Sequence, residues 1–177
     1  MTTRHLIEKT LEKMKYVNTV IPNLNCGGCG VFAHALASEL EHKGLKPKIA
    51  VIASNYHGYL EDNFIEKLNI TEDELTAKRI NESGGDIAHM MVYIEEEDLY
   101  VDSEGVYGSL RESSWSSYKH QFNMSIEHTG IIIANASGWN RSFDRKFIPK
   151  VYDIVINAVN KVINNIEPQP LQLTLDF

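Results

Sequence analysis

The chain has 177 residues and a formal net charge of −7. That length builds one domain with a real core, and the acidic balance argues against a protein that grips nucleic-acid phosphates, which usually shows a basic face. No apolar run approaches the roughly 18 residues of a membrane helix, and the opening stretch MTTRHLIEKTLEKMKYV lacks the unbroken apolar core of a secretory signal. The expectation is a cytoplasmic protein with no direct nucleic-acid or membrane partner.

Residues 4–17 carry Leu6, Ile7, Leu11, Met14 and Val17 on one helical stripe. A turn-rich stretch, NTVIPNLNCGGCG, leads into a second predicted helix over about 29–43. Phe32, Ala33, Leu36 and Leu40 form its inner face, and Gly44 supplies the stop. PKIAVIAS reads as a strand. Residues 61–81 read as one or two short helices, with Thr71 and Glu74 at capping-box spacing. DIAHMMVYIEEEDLYVDSEG predicts two strands joined by an acidic turn, a β-hairpin, and GIIIANAS predicts another strand. A long helix follows over 148–166, with Pro149 tolerable in its first turn and Val151, Ile154, Val155, Val159, Val162 and Ile163 inward. Together these predict an α+β domain over 1–166, with N-terminal helices packed on an antiparallel β-sheet and a closing C-terminal helix. A tail, 167–177, contains two prolines that rule out continued helix.

The chain's two cysteines both lie in NCGGCG, residues 25–30. A thiol becomes a good nucleophile where its thiolate is stabilised, as at a helix N-terminus. Cys29 sits where the turn enters the helix, and Gly28 and Gly30 leave space for a carbonyl to approach. Cys26 lies in the loop and lacks that position. A cysteine nucleophile needs a base, and the base an orienting group. Of the seven histidines, only His89 lies on a strand followed at once by a second strand bearing an acid. If the hairpin turn centres on Glu96–Glu97, Asp102 falls opposite Met91, two residues from His89, and all three share a face. Diagonal neighbours across such a pair lie roughly 7–8 Å apart, within reach of a carboxylate–imidazole hydrogen bond. A slip of one residue moves Asp102 to the other face.

The order of Cys29, His89 and Asp102, with GGCGVFAHALASELEHKG around the first and AHMMVYIEEEDLYVDSEG around the others, resembles the papain-like and transglutaminase-like cysteine enzymes. The resemblance spans about residues 23–108 and is nearest in look to small bacterial and phage members. It implies a papain-like or transglutaminase-like fold and thioester chemistry without a cofactor or metal. Cys29 would attack an amide or ester carbonyl of a peptide or other amide-containing substrate, His89 would move the proton, and Asp102 would orient His89. The acyl group would pass to water or an amine. It also implies an oxyanion site that includes the Cys29 backbone N–H, with Gly28 and either Asn23 or Asn25 positioning the substrate. Peptidase, amidase, deconjugating enzyme, transglutaminase and acyltransferase all remain open, because fold does not set substrate.

Other readings compete. Cys26 and Cys29 have the Cys-x-x-Cys spacing of a redox dithiol, although that motif usually follows a strand and here follows helix and turn. A zinc site would need a second ligand pair at standard spacing, and the sequence offers none. His34 and His42 read as structural. Trp115, Tyr118, His120 and Trp139 read as ordinary packing, with lining of a cleft as the alternative. The final residues, QLTLDF, resemble the peptide by which bacterial replication and repair proteins dock on the sliding clamp, with Gln172, Leu175 and Phe177 as anchors. On that reading the chain would be a non-enzymatic interaction protein. A terminal strand is the simpler account of the same alternation.

Overall fold

The computed structural model describes residues 2–53, 87–116, 120–135 and 143–164. The predicted helices at 61–81 and the tail with Gln172, Leu175 and Phe177 lie outside them, as do Tyr118 and Trp139. Among the described residues no helix is long and apolar enough to cross a membrane.

The first predicted helix is two pieces, α1 (Thr3–Lys13) and the short α2 (Val17–Val20). Thr2 caps α1 by accepting from the His5 N–H, and the Glu97 carboxylate accepts from the N–H groups of Thr3 and Arg4 at 3.1 and 3.2 Å. An anion at this end satisfies orphan donors and meets the positive end of the helix dipole. Leu6, Ile7, Met14 and Val17 are all buried, so the apolar stripe holds across the break.

Helix α3 (Cys29–His42) is buried over most of its circumference, the mark of a central helix rather than a surface one. It packs against the sheet on one side and against α4 (Ile126–Asn135) and α5 (Ile148–Asn164) on others, while α1 packs on α5. Along α5, Val151, Val155, Ala158, Val159 and Val162 are buried at helical spacing, with Pro149 in the first turn as predicted.

The sheet contains β1 (Pro47–Ala53), β2 (Ile87–Ile94), β3 (Leu99–Val101), β4 (Val106–Tyr107) and β5 (His120–Met124). The order is β4-β3-β2-β1-β5, and every neighbouring pair is antiparallel. Period-two alternation divides the side chains. Ile49, Val51, Met90, Val92 and Val101 join the main core with the helices. Ala50, Ile52, Met91 and Tyr100 form a smaller cluster with Tyr93, Tyr107, Leu110 and Trp115. The chain is therefore α+β with a five-stranded antiparallel sheet and helices, as the pattern predicts.

The first six residues of GIIIANAS are not a strand but the end of α4. The helix begins upstream, where Ser125 Oγ accepts from His128 N and Ser125 O accepts from Thr129 N. A short apolar run reads alike as buried strand or buried helix, and the β-branched residues tipped the expectation the wrong way. Gly130, which suggests a strand boundary, instead marks a close helix crossing: a Cβ there would lie 2.9 Å from His34 Nε2. The strand in this region, β5, lies just before the helix.

Candidate functional site

The turn before α3 is shaped by two left-handed residues, Asn23 (φ 57°) and Gly27 (φ 108°). The Asn23 carbonyl accepts from the N–H groups of Cys26 and Gly28 at 3.1 and 3.2 Å. The backbone then enters α3 with Cys29 as its first residue. Cys26 is exposed and Cys29 buried, and both are free thiols.

Gly28 is needed here for a reason other than the expected one. A Cβ at this position would lie 2.5 Å from the Phe143 ring and 2.9 Å from the Leu24 carbonyl oxygen. The space left by the missing side chain is filled by Phe143, a core residue, so it does not admit a substrate carbonyl. Asn23 contributes through its backbone conformation, and the Asn25 side chain meets Ser103, with 3.4 Å between Asn25 Oδ1 and Ser103 Oγ.

The hairpin has the predicted register. Ile94 pairs with Leu99 and Val92 with Val101, so Asp102, just past β3, falls opposite Met91. His89 stands near the start of β2, at the same end of the sheet. His89 Nε2 and Asp102 Oδ2 are 3.1 Å apart. The other carboxylate oxygen accepts from Glu104 N at 2.8 Å, Gly105 N at 3.1 Å and the Tyr107 hydroxyl at 3.4 Å. Asp102 thus closes its own turn, as Asp commonly does, and holds the imidazole with its free oxygen. The two roles use different oxygens and do not compete.

His89 is fully buried, and Asp102 and Cys29 are 1% and 4% exposed. The Trp115 ring stacks on the imidazole with centroids 4.1 Å apart and an 11° interplanar angle. With Nε2 committed to Asp102, Nδ1 is buried and makes no hydrogen bond among the described residues. Burial opposes a charge on the His89 ring. The hydrogen bond to Asp102 and the neighbouring Cys29 side chain outweigh burial and raise the pKa to about 9. The Cys29 side chain therefore lies close enough to act on the ring.

His34, five residues along α3, does not join this cluster. Its Nδ1 lies 2.6 Å from the Tyr152 hydroxyl of α5, and burial pushes its pKa down, partly offset by a backbone hydrogen bond with Ile126. It is a clasp between helices, as expected of a structural histidine. Among the described residues no group of three or more His, Cys, Asp or Glu side chains is placed to hold a metal ion.

Three contributors left no sign in the sequence: Tyr107 on Asp102, Phe143 against Gly28, and Ser103 between Asn18 and Asn25. Trp115, read as packing or cleft lining, stacks on His89. No protein-family model, curated protein or solved structure matches this chain.

Proposed function

We propose that this chain is a cysteine hydrolase or acyltransferase of papain-like or transglutaminase-like type, acting on an amide or ester carbonyl through a thioester on Cys29. The observation that carries the proposal is the buried His89–Asp102 pair, whose free imidazole nitrogen is left to a cysteine at the first residue of a helix. His34, by contrast, sets its Nδ1 against the Tyr152 hydroxyl, a fixed partner on another helix. His89 keeps one nitrogen for a group that changes protonation.

Cys29 as thiolate attacks the carbonyl carbon, and the electron pair moves onto oxygen. The Cys29 backbone N–H is one of the unpaired donors of a helix start and stabilises that oxyanion as it forms. The imidazolium of His89 gives its Nδ1 proton to the departing amine or alkoxide, leaving a thioester and a neutral ring. Water or an amine then attacks the thioester while His89 takes its proton, and the thiolate leaves. Asp102 stays ionised throughout and orients the ring. Trp115 keeps water from the His89–Asp102 bond, which strengthens it.

The test is alkylation with iodoacetamide at pH 6 to 7, followed by mapping of the adduct. Rapid, selective labelling of Cys29 that is lost in His89→Ala supports the proposal. Equal, sluggish labelling of Cys26 and Cys29 overturns it, and a reversible Cys26–Cys29 disulfide as the stable resting form would point to redox work instead.

A further inference from the structure

None of these steps uses the contacts around Ser103. This residue follows Asp102 and reaches two residues of the segment that leads to Cys29. Asn18 Nδ2 donates to the Ser103 carbonyl at 3.1 Å. The Ser103 hydroxyl lies 2.9 Å from Asn18 Oδ1 and 3.4 Å from Asn25 Oδ1. These contacts bridge 85 and 78 residues of chain. A hydroxyl has a single proton to give, and the nearer Asn18 oxygen takes it. The Asn25 contact is then satisfied with its amide turned so that the NH₂ donates to the hydroxyl oxygen, the two amide orientations having nearly the same shape.

The reacting groups are carried by two separate bodies. Asp102, and through it His89, is fixed by the Asp102–Gly105 turn and the hairpin. Cys29 is fixed by α3 and the Asn23–Gly28 turn. Proton transfer between sulfur and ring depends on their separation to fractions of an ångström, and a misplacement of about 1 Å can cost 100-fold in rate.

We infer that Ser103 is a positioning residue: with Asn18 and Asn25 it ties the turn before Cys29 to the turn of Asp102, and so sets the separation of the Cys29 thiol from the His89 ring. This rests on the proposed chemistry of Cys29. It also gives Asn25 a different task from oxyanion binding, since its amide is spent on Ser103.

The experiment uses the full chain with Ser103→Ala, Ser103→Thr and Asn18→Ala. Two readouts are taken: the rate of Cys29 alkylation by iodoacetamide at pH 7, and the midpoint of the His89 ring titration by NMR. Ser103→Ala is expected to slow alkylation by about three- to tenfold, the scale of one net hydrogen bond, and to move the His89 midpoint down as the thiol draws away. Asn18→Ala moves both in the same direction, and Ser103→Thr, which keeps the hydroxyl, restores both. In a Cys29→Ala background, Ser103→Ala leaves the His89 midpoint where Cys29→Ala alone puts it. The inference is overturned if folded Ser103→Ala or Asn18→Ala matches the wild type in both readouts, even with a lower melting temperature. Should Ser103→Ala fail to fold, Asn18→Ala decides. If wild-type alkylation does not depend on His89, the proposed activity fails, while the His89 midpoint still judges Ser103.

Discussion

Asp102→Asn probes the site most directly, because it changes charge while keeping shape. An Asn amide oxygen still accepts from Glu104 N and Gly105 N, so the turn survives, but the carboxylate facing His89 is gone. The rise of the His89 pKa from 6.5 to about 9 corresponds to roughly 3 kcal/mol of preference for the charged ring, shared between Asp102 and Cys29 and net of burial. Because the folded value lies above the unfolded one, this stabilisation is fully present below pH 6.5 and is lost as pH rises through about 9. Wild-type stability in urea is therefore expected to fall by up to roughly 3 kcal/mol between pH 6 and pH 10 from this residue. In Asp102→Asn, burial is opposed only by the thiol. The His89 midpoint drops well below the wild-type value, and the fall in stability over that pH range largely disappears. Urea midpoints at both ends of the range and an NMR titration of the ring check this. A midpoint still near 9 in Asp102→Asn would refute the reasoning, since the charge would then come from elsewhere.

Gly28→Ala sets a Cβ against Phe143 and the Leu24 carbonyl. The expected cost is about 1–3 kcal/mol by urea unfolding, with slower Cys29 alkylation and partial recovery in Gly28→Ala/Phe143→Leu. Trp115→Ala removes the stacked cover of His89. It is expected to cost about 1–2 kcal/mol and to lower the selectivity of iodoacetamide for Cys29 over Cys26, while Trp115→Phe keeps most of both. Deleting residues 171–177 leaves Cys29 alkylation unchanged, and if the tail is a docking peptide it abolishes binding to a sliding clamp measured by surface plasmon resonance.

The parts of the molecule set by near neighbours in the chain were legible without the structure. The stripe Phe32, Ala33, Leu36 and Leu40 predicts α3, because helical period and burial coincide there. The hairpin register follows from the acidic turn and the alternation on either side, and it alone brings Asp102 to the face of His89. The error over GIIIANAS has a local cause: a run of β-branched residues around a glycine has no period to distinguish helix from strand.

Contacts made across tens of residues follow no period in the sequence, so they emerge only in the folded chain. Trp115 stacks on His89 because the chain after β4 folds back over one face of the sheet, and nothing in its own sequence says which ring it covers. Gly28 looks like an opening for a substrate until Phe143, 115 positions later, fills it. Ser103 looks like one more turn residue until Asn18 and Asn25 meet it. Which residue types stand at the helix mouth and on the paired strands is legible locally, because backbone geometry ties those positions to their neighbours. The fold decided their distances, their dryness and their supports, because those depend on which distant surfaces pack together.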